Sequence, residues 1–353
     1  MPEKPLPEFR HQWAVVAAFF SRKDSVWLDD FISHGAITFE KVPSPTKHRS
    51  WHAGRSKVTS LQTWAKHLRQ AYSAIYMRPY GVITCFPQLA VCVALFKKLS
   101  KTRPKLIAYN FNLGALRPGI RQRLAQLVAE EVDIFVVHSP EEVARYAQYL
   151  DVPEKKVRFA PLQRGEVDSV RKESTSSPFV VALGSAHRDY KTLIKAVDRL
   201  GIRTVIVTRP EDINDLPKSE VVEFRHGLSE RDCHELMAQA RICVTPIANM
   251  ETASGQVTFV NAMMLGIPVI ATRCPGTAGY IEHDRNGLLV PAFDAKALAE
   301  AVSRLWEESE TRERLSLQAR RCLIPDDHIS PRRSALFMAR SVLRDIRDGA
   351  RTC

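Results

Sequence analysis

Residues 246–291 read PIANMETASGQVTFVNAMMLGIPVIATRCPGTAGYIEHDRNGLLVP. The apolar run Ile242–Thr245 just ahead predicts a strand, Ser254-Gly255 a loop, Gly255–Leu265 a helix and Val269–Thr272 a further strand. The start of that helix is where chemistry can enter. Free N–H groups and the positive dipole end of a helix N-terminus attract a phosphate. Gly255 has no Cβ, so the backbone around it, including the Gln256 N–H, can approach an anion closely. Ser254 and Thr258 can add hydroxyl donors, and Asn261 shares a face with Val257 and Thr258, where it can reach a ribose. The same residues equally fit an ordinary buried helix capped by Ser254.

Outward from this stretch the chain keeps alternating. In the N-terminal half the predicted strands are 13–20, 37–42, 81–85, 106–109, 134–138 and 157–160, with helices over 59–75, 118–131 and 140–150. Ser139 before Pro140, with Glu141 and Glu142 in the first turn, marks a helix start. In the C-terminal half the strands are 179–183, 204–208, 221–224, 242–245 and 269–272. Helices there are 189–200, 230–240, 255–265, 294–307, 310–322 and 332–347. Nearly all-apolar strands alternating with helices imply parallel sheets covered on both faces. Between the halves, residues 171–178 (RKESTSSP) are polar, short-chained and proline-terminated, as interdomain linkers are.

The expected fold is therefore α/β, with two tandem Rossmann-like doubly wound domains facing a cleft. The first covers 1–170, the linker 171–178 and the second 179–330, and a C-terminal helix within 331–353 is free to cross back to the first domain. Ligands in such sheets bind beyond the carboxyl ends of the strands.

Composition narrows the function classes. The 353 residues are 45% hydrophobic, enough for real cores, which excludes a disordered chain. Seven cysteines with no C-x-x-C pair exclude a disulfide framework and a zinc-ribbon site, and a reducing cytoplasm fits them. Residues 80–96 carry no charge, but Pro87 and Gln88 interrupt them, so they read as a strand, a turn and an apolar helix rather than a membrane span. The net charge of +12 is unevenly placed. Through Glu166 there are 25 basic and 14 acidic residues, whereas the rest nearly balances. Between Glu40 and Glu130 there is no acid at all against 16 Lys and Arg, so the N-terminal half presents a basic face to an anionic partner. Trp51, Lys57, Trp64, Lys66, Arg69 and Tyr72 mix aromatic and basic side chains, as interfacial segments do. No nucleic-acid-binding motif accompanies the charge, so nucleic acid is not an expected partner.

The stretch from Asn261-Ala262-Met263-Met264-Leu265-Gly266-Ile267-Pro268 through Thr272, followed by Ala278-Gly279 and Gly287-Leu288-Leu289-Val290, resembles the donor-binding domain of GT-B glycosyltransferases of the retaining group-four-like families. The Ser254-Gly255-Gln256 loop is similar to a subset reading SSGQ. Upstream, Gly184-Ser185-Ala186-His187-Arg188-Asp189-Tyr190-Lys191 resembles the first strand–loop–helix of that domain, where a Lys and an Arg grip the diphosphate. Lys191 occupies the lysine position, Ser185 stands where the arginine usually does, and Arg188 substitutes from within the loop. The family's paired glutamates are replaced by Asn261 and Ala253, with Glu251 out of register.

In the N-terminal half the resemblance is weaker. Asn110 and Asn112 fall where the family often has a sugar-contacting histidine. His138 reads as packed or capping, and Asp29-Asp30 and Asp326-Asp327 read as surface turns rather than a metal motif.

The resemblance implies transfer of a sugar from a nucleotide-diphosphate sugar to a hydroxyl acceptor, a glycan or lipid-linked glycan, with retention and without a metal or other cofactor. Lys191 and Arg188 would act on the departing diphosphate, and Ser185, Ser254, Gly255, Gln256, Thr258, Asn261, Asn110 and Asn112 would bind substrate. The place implied is the cytoplasm, peripheral on the inner face of the membrane. The lost glutamates leave open a non-catalytic relative that binds or scaffolds.

Overall fold

The computed structural model describes residues 11–20, 22–23, 27, 37–44, 60–100, 103–162, 164, 167 and 169–323. The chain divides into two compact units between Ala160 and Pro161. The expected C-terminal helix, Trp51, Lys57 and both Asp pairs lie outside the described residues.

The first unit is a six-stranded, all-parallel sheet of β1 (His11–Val16), β2 (Ile37–Val42), β3 (Gly81–Cys85), β4 (Lys105–Tyr109), β5 (Ile134–Val137) and β6 (Val157–Phe159), in the order β2-β1-β3-β4-β5-β6. Helices α1 (Leu61–Tyr76), α2 (Pro87–Leu99), α3 (Ile120–Ala129) and α4 (Glu141–Leu150) alternate with the strands. Each of these connections runs the same way along the sheet, so right-handed crossover places all four helices on one face. Neighbouring helices touch in sequence, α1 with α2, α2 with α3 and α3 with α4. Strand β1 ends at Val16, short of the expected Phe20, because the chain turns there and Phe20 N–H bonds back to the Ala17 carbonyl. Apolar side chains bury both faces of the sheet, Val82, Leu106 and Phe135 on one and Trp13, Ile107 and Val136 on the other.

The second unit repeats the plan. It holds β7 (Val180–Leu183), α5 (Tyr190–Leu200), β8 (Thr204–Val207), α6 (Pro210–Ile213), β9 (Val222–Arg225), α7 (Glu230–Gln239) and β10 (Ile242–Thr245). Then follow α8 (Gln256–Leu265), β11 (Val269–Thr272), β12 (Leu288–Val290), α9 (Ala295–Glu307) and α10 (Ser309–Leu323). The sheet is again parallel, in the order β12-β11-β10-β7-β8-β9. Strand β12 and the short α6 were not expected.

Residues 171–178, expected to link the domains, are held on the second unit. The N–H groups of Lys172 and Ser174 bond to the carbonyls of Ala238 and Gln239. Arg171 donates to the Gly266 carbonyl at 2.8 Å, and Glu173 pairs with both Arg171 and Arg241. No helix among the described residues is long and apolar enough to cross a membrane.

Candidate functional site

In the second sheet the chain leaves β7 toward β8 and β9, then returns to the other side of β7 as β10. The crevice beyond the carboxyl ends of β7 and β10 is thus the topological switch point, where open α/β sheets bind ligands. Two loops meet there. The loop after β7 runs antiparallel against the segment after β10 through an Arg188–Ile247 bridge, with Asp189 N–H on the Pro246 carbonyl and Ala248 N–H on the His187 carbonyl.

Arg188 is the central charge. Its Nε donates to the Leu183 carbonyl at 3.1 Å, Nη1 to the Ala186 carbonyl at 2.8 Å and Nη2 to Thr258 Oγ1 at 2.9 Å. The guanidinium lies so close to Gly184 that a Cβ there would come within 2.6 Å of Nη2. No carboxylate among the described residues pairs with it, and burial draws its pKa below the usual arginine range. Enclosing a cation costs several kcal/mol unless something offsets it. Here its hydrogen-bond partners are neutral dipoles.

Helix α8 supplies the second half. Helices α5, α7 and α9 are each capped by a side chain, from Asp189, Ser229 and Asp294. Helix α8 has no side-chain cap. Its N-cap is Gly255 at φ 86°, a left-handed conformation that glycine adopts without penalty. The expected Ser254 cap is absent, and Ser254 Oγ is buried without a hydrogen-bond partner. A buried hydroxyl without a partner is uncommon, and this one lies at a helix start that no side chain caps. Thr258 is buried, Gln256 is buried at the first helical position, and Val257 is exposed. Ser185 sits within 3.4 Å of Thr208 Oγ1 at the end of β8. Lys191 is exposed in the first turn of α5 and forms no ion pair among the described residues.

Asn261 is buried three residues further along α8 from Thr258. Its Oδ1 accepts from Arg164 Nε at 3.3 Å and its Nδ2 lies 2.9 Å from His234 Nε2. Nδ2 can only donate, so His234 Nε2 is the acceptor there. Arg164 also pairs with Glu230 at the start of α7. Arg164, His234 and Glu230 escape sequence reading. They come from three separate segments, and no local spacing signals their meeting.

In the first unit the candidates are employed locally. Asn110 holds φ 52° just after β4, and its side chain bonds the Cys85 thiol. Asn112 Oδ1 accepts from Gly114 N–H at 2.8 Å. His138 is buried with Nδ1 2.7 Å from the Ala160 carbonyl, so Nδ1 carries the proton, and burial lowers its pKa to about 4. It is a packed histidine. Burial pushes the thiols of Cys85, Cys92 and Cys243 up to about 12.

Two parallel Rossmann-like sheets with a polar, cationic crevice in the second define the class as the GT-B fold, and comparison with solved structures agrees. Sucrose-phosphate synthase from Thermosynechococcus elongatus superposes with a TM-score of 0.69 at 16% identity, over 96% of this chain and 100% of that one. Anabaena HepE in complex with UDP-glucose gives 0.64 at 14% identity, over 95% and 100%. Within the chain, residues 177–308 match the family described as glycosyl transferases group 1, so the second unit carries a glycosyltransferase group 1 domain. A curated relative, the O-antigen chain mannosyltransferase C of Escherichia coli, is 27% identical over 219 residues, 57% of this chain and 58% of that protein. The match thus spans less than two thirds of that relative's length.

Proposed function

We propose that the protein transfers a sugar from a nucleotide-diphosphate sugar to a hydroxyl of a glycan or lipid-linked glycan, with retention, in polysaccharide or glycolipid assembly. The observation that carries this reading is the half-buried Arg188 guanidinium, with no carboxylate partner among the described residues, bonded to Thr258 at the start of α8, which no side chain caps. A family match and the relatives above support the same class.

In this reading the diphosphate lies between Arg188, the N–H groups at Gly255 and Gln256, and the Ser254 hydroxyl. Breaking the anomeric bond puts negative charge on the departing diphosphate. Donors fixed before the reaction stabilise that charge without reorganising. Lys191 adds a mobile cation, Ser185 a hydroxyl, and Thr258 holds the Arg188 fork in place. Asn261, oriented by Arg164 and His234, contacts the ribose. The charge stabilisation comes from the protein, so the proposal needs no metal or other cofactor. Asn110 and Asn112 are proposed for the sugar or acceptor, and the protein is placed in the cytoplasm, on the inner face of the membrane.

A screen of nucleoside diphosphates by thermal shift tests the reading, with UDP first because HepE is described with UDP-glucose. The matching diphosphate raises the apparent stability by mass action. No shift with any nucleoside diphosphate or nucleotide sugar would end the proposal. One observation favours a second reading, a protein that binds the nucleotide without turnover. Asn261 stands where the resemblance to the retaining families implies a glutamate, and its amide is already occupied by Arg164 and His234. A nucleotide-induced shift with no release of nucleoside diphosphate from any sugar nucleotide selects it.

A further inference from the structure

Three consecutive helices of the first unit turn apolar stripes to solvent. On α1, Leu61, Leu68, Tyr72 and Tyr76 recur at helical spacing, opposite the buried His67, Gln70, Ala71 and Ala74. Leu61 is 88% and Tyr76 76% exposed, and Tyr72 and Tyr76 stack with centroids 5.9 Å apart. Next to α1, α2 exposes Leu95 and Leu99, the latter at 82%. Next to α2, α3 exposes Ile120, Leu124 and Leu127, on the side away from buried Ala129. All three helices lie on one face of the sheet, so the stripes share one outer surface. Scattered exposed leucines need no explanation, but aligned stripes on adjoining helices do.

Within α1, α2 and α3 the charges beside the stripes are all positive, and the first acids, Glu130 and Glu131, follow at the C-terminal end of α3. Arg69 flanks the stripe on α1, Lys98 that on α2, and Arg121 and Arg123 flank both sides of that on α3. None of these four forms an ion pair among the described residues. Glu40 and Glu130 bound a stretch with no acid, so these helices cannot neutralise one another. The second unit differs: Arg203, Arg225, Arg285, Arg304 and Arg314 each pair with an Asp or Glu at its surface. Unpaired cations alternating with aromatic and aliphatic side chains match a surface whose outside is anionic and whose inside is apolar.

We infer that the outer face of α1–α3 docks on an anionic lipid bilayer, its leucines and tyrosines entering the headgroup boundary and its cations meeting the phosphates. This deepens the membrane part of the proposed function and rests on that reading for its purpose, but it uses residues of the first unit alone. A nucleic acid would use the cations and leave the stripes exposed, and a second copy of the same basic face would repel it.

The test is co-sedimentation of the full chain with vesicles of phosphatidylcholine alone or mixed equally with phosphatidylglycerol, at low and high salt. Mixed vesicles are expected to bind the protein and phosphatidylcholine vesicles to bind it weakly. The variant Arg69→Gln/Lys98→Gln/Arg121→Gln/Arg123→Gln should lower partitioning on mixed vesicles by about tenfold or more. Leu68→Ser/Tyr72→Ser/Leu124→Ser should lose the binding that survives high salt. Both keep any nucleoside diphosphate thermal shift, which reads folding and the nucleotide site separately from docking. Absence of wild-type binding to mixed vesicles overturns the inference, as does equal binding to both compositions. Ultracentrifugation showing a dimer that the serine variant dissolves, with vesicle binding unchanged, assigns the face to a second copy and also overturns it.

Discussion

The two sheets have a switch point in the same place and fill it with opposite chemistry. In the first unit it lies between β1 and β3. There Gln70 donates its amide to the Ala17 and Val42 carbonyls at 3.0 and 2.7 Å. Phe19 meets Phe86 edge-on at 6.2 Å, and Phe20, Trp27 and Tyr109 continue the aromatic chain. In the second unit the crevice holds Arg188, Thr258 and the orphan Ser254 hydroxyl. The helix starts share a positive φ but differ in ψ, 149° at Phe86 and -14° at Gly255, as well as in content. Phe86 precedes α2 at φ 78° and Gly255 precedes α8 at φ 86°. Proline at the first position of α2 removes one N–H, whereas Gln256 keeps it. Topology gives two equivalent crevices, and side chains give them different chemistry.

The strongest way to break this comparison is Arg188→Met. If the second crevice is the anion site, catalytic efficiency should fall by roughly 10²–10³, the usual effect of losing one preorganised donor. The nucleoside diphosphate thermal shift should go with it. Phe86→Ala in the first unit should leave that shift intact. An Arg188→Met protein that still responds to the diphosphate as wild type does would remove Arg188 from the site.

The first unit has its own titration. Folding holds His138 neutral, so the folded chain takes a proton only near pH 4, whereas an unfolded histidine takes one near 6.5. The unfolded state therefore binds more protons between these values. The stability His138 allows is intact above pH 6.5 and is lost as pH falls toward 4, by about 3 kcal/mol at full extent. Urea midpoints of wild type and His138→Gln, compared from pH 7 to 4, should diverge in slope across this window. Parallel curves would mean that His138 stays solvated enough to titrate normally.

Gly276→Ala probes the second crevice without touching its charges. A Cβ there would lie 2.2 Å from the Ser254 carbonyl oxygen, and backbone cannot rotate away as a side chain can. The Ser254-Gly255 loop must shift, with a loss of roughly 1–3 kcal/mol and a weakened nucleotide response. Unchanged nucleotide affinity at lowered stability would show that the loop backbone is not part of the site.

Much of this was legible in the sequence because most strands are short apolar runs, several rich in Val, Ile and Thr. Ile37–Val42, Gly81–Cys85, Ile242–Thr245 and Val269–Thr272 fall where the pattern puts them. Gly255 and Thr258 were legible as a helix start, since that signal is local. The grip of Arg188 on Thr258, seventy residues away, was not. Nor were the partners of Asn261, because hydrogen bonds across segments leave no periodicity. The hold of the second unit on residues 171–174 was hidden for a related reason. Arg171 and Glu173 look the same in composition whether they face water or pair with Arg241 and the Gly266 carbonyl.

The smallest effect decides what Asn110 is for. Its φ of 52° is a conformation that asparagine tolerates and glycine accepts freely, and its amide reaches only Cys85 among the contacts resolved for it. Asn110→Gly keeps the backbone and removes the amide. If the residue serves the turn, stability should move by less than about 1 kcal/mol and both kcat and KM should stay put. Asn110→Ala, which cannot hold that φ without strain, should be the more destabilising of the two. If instead Asn110→Gly leaves the melting temperature unchanged but raises KM for donor or acceptor, the amide is a ligand. The first crevice would then share in the chemistry, and the contrast between the two units would be one of sugar against phosphate rather than of structure against function.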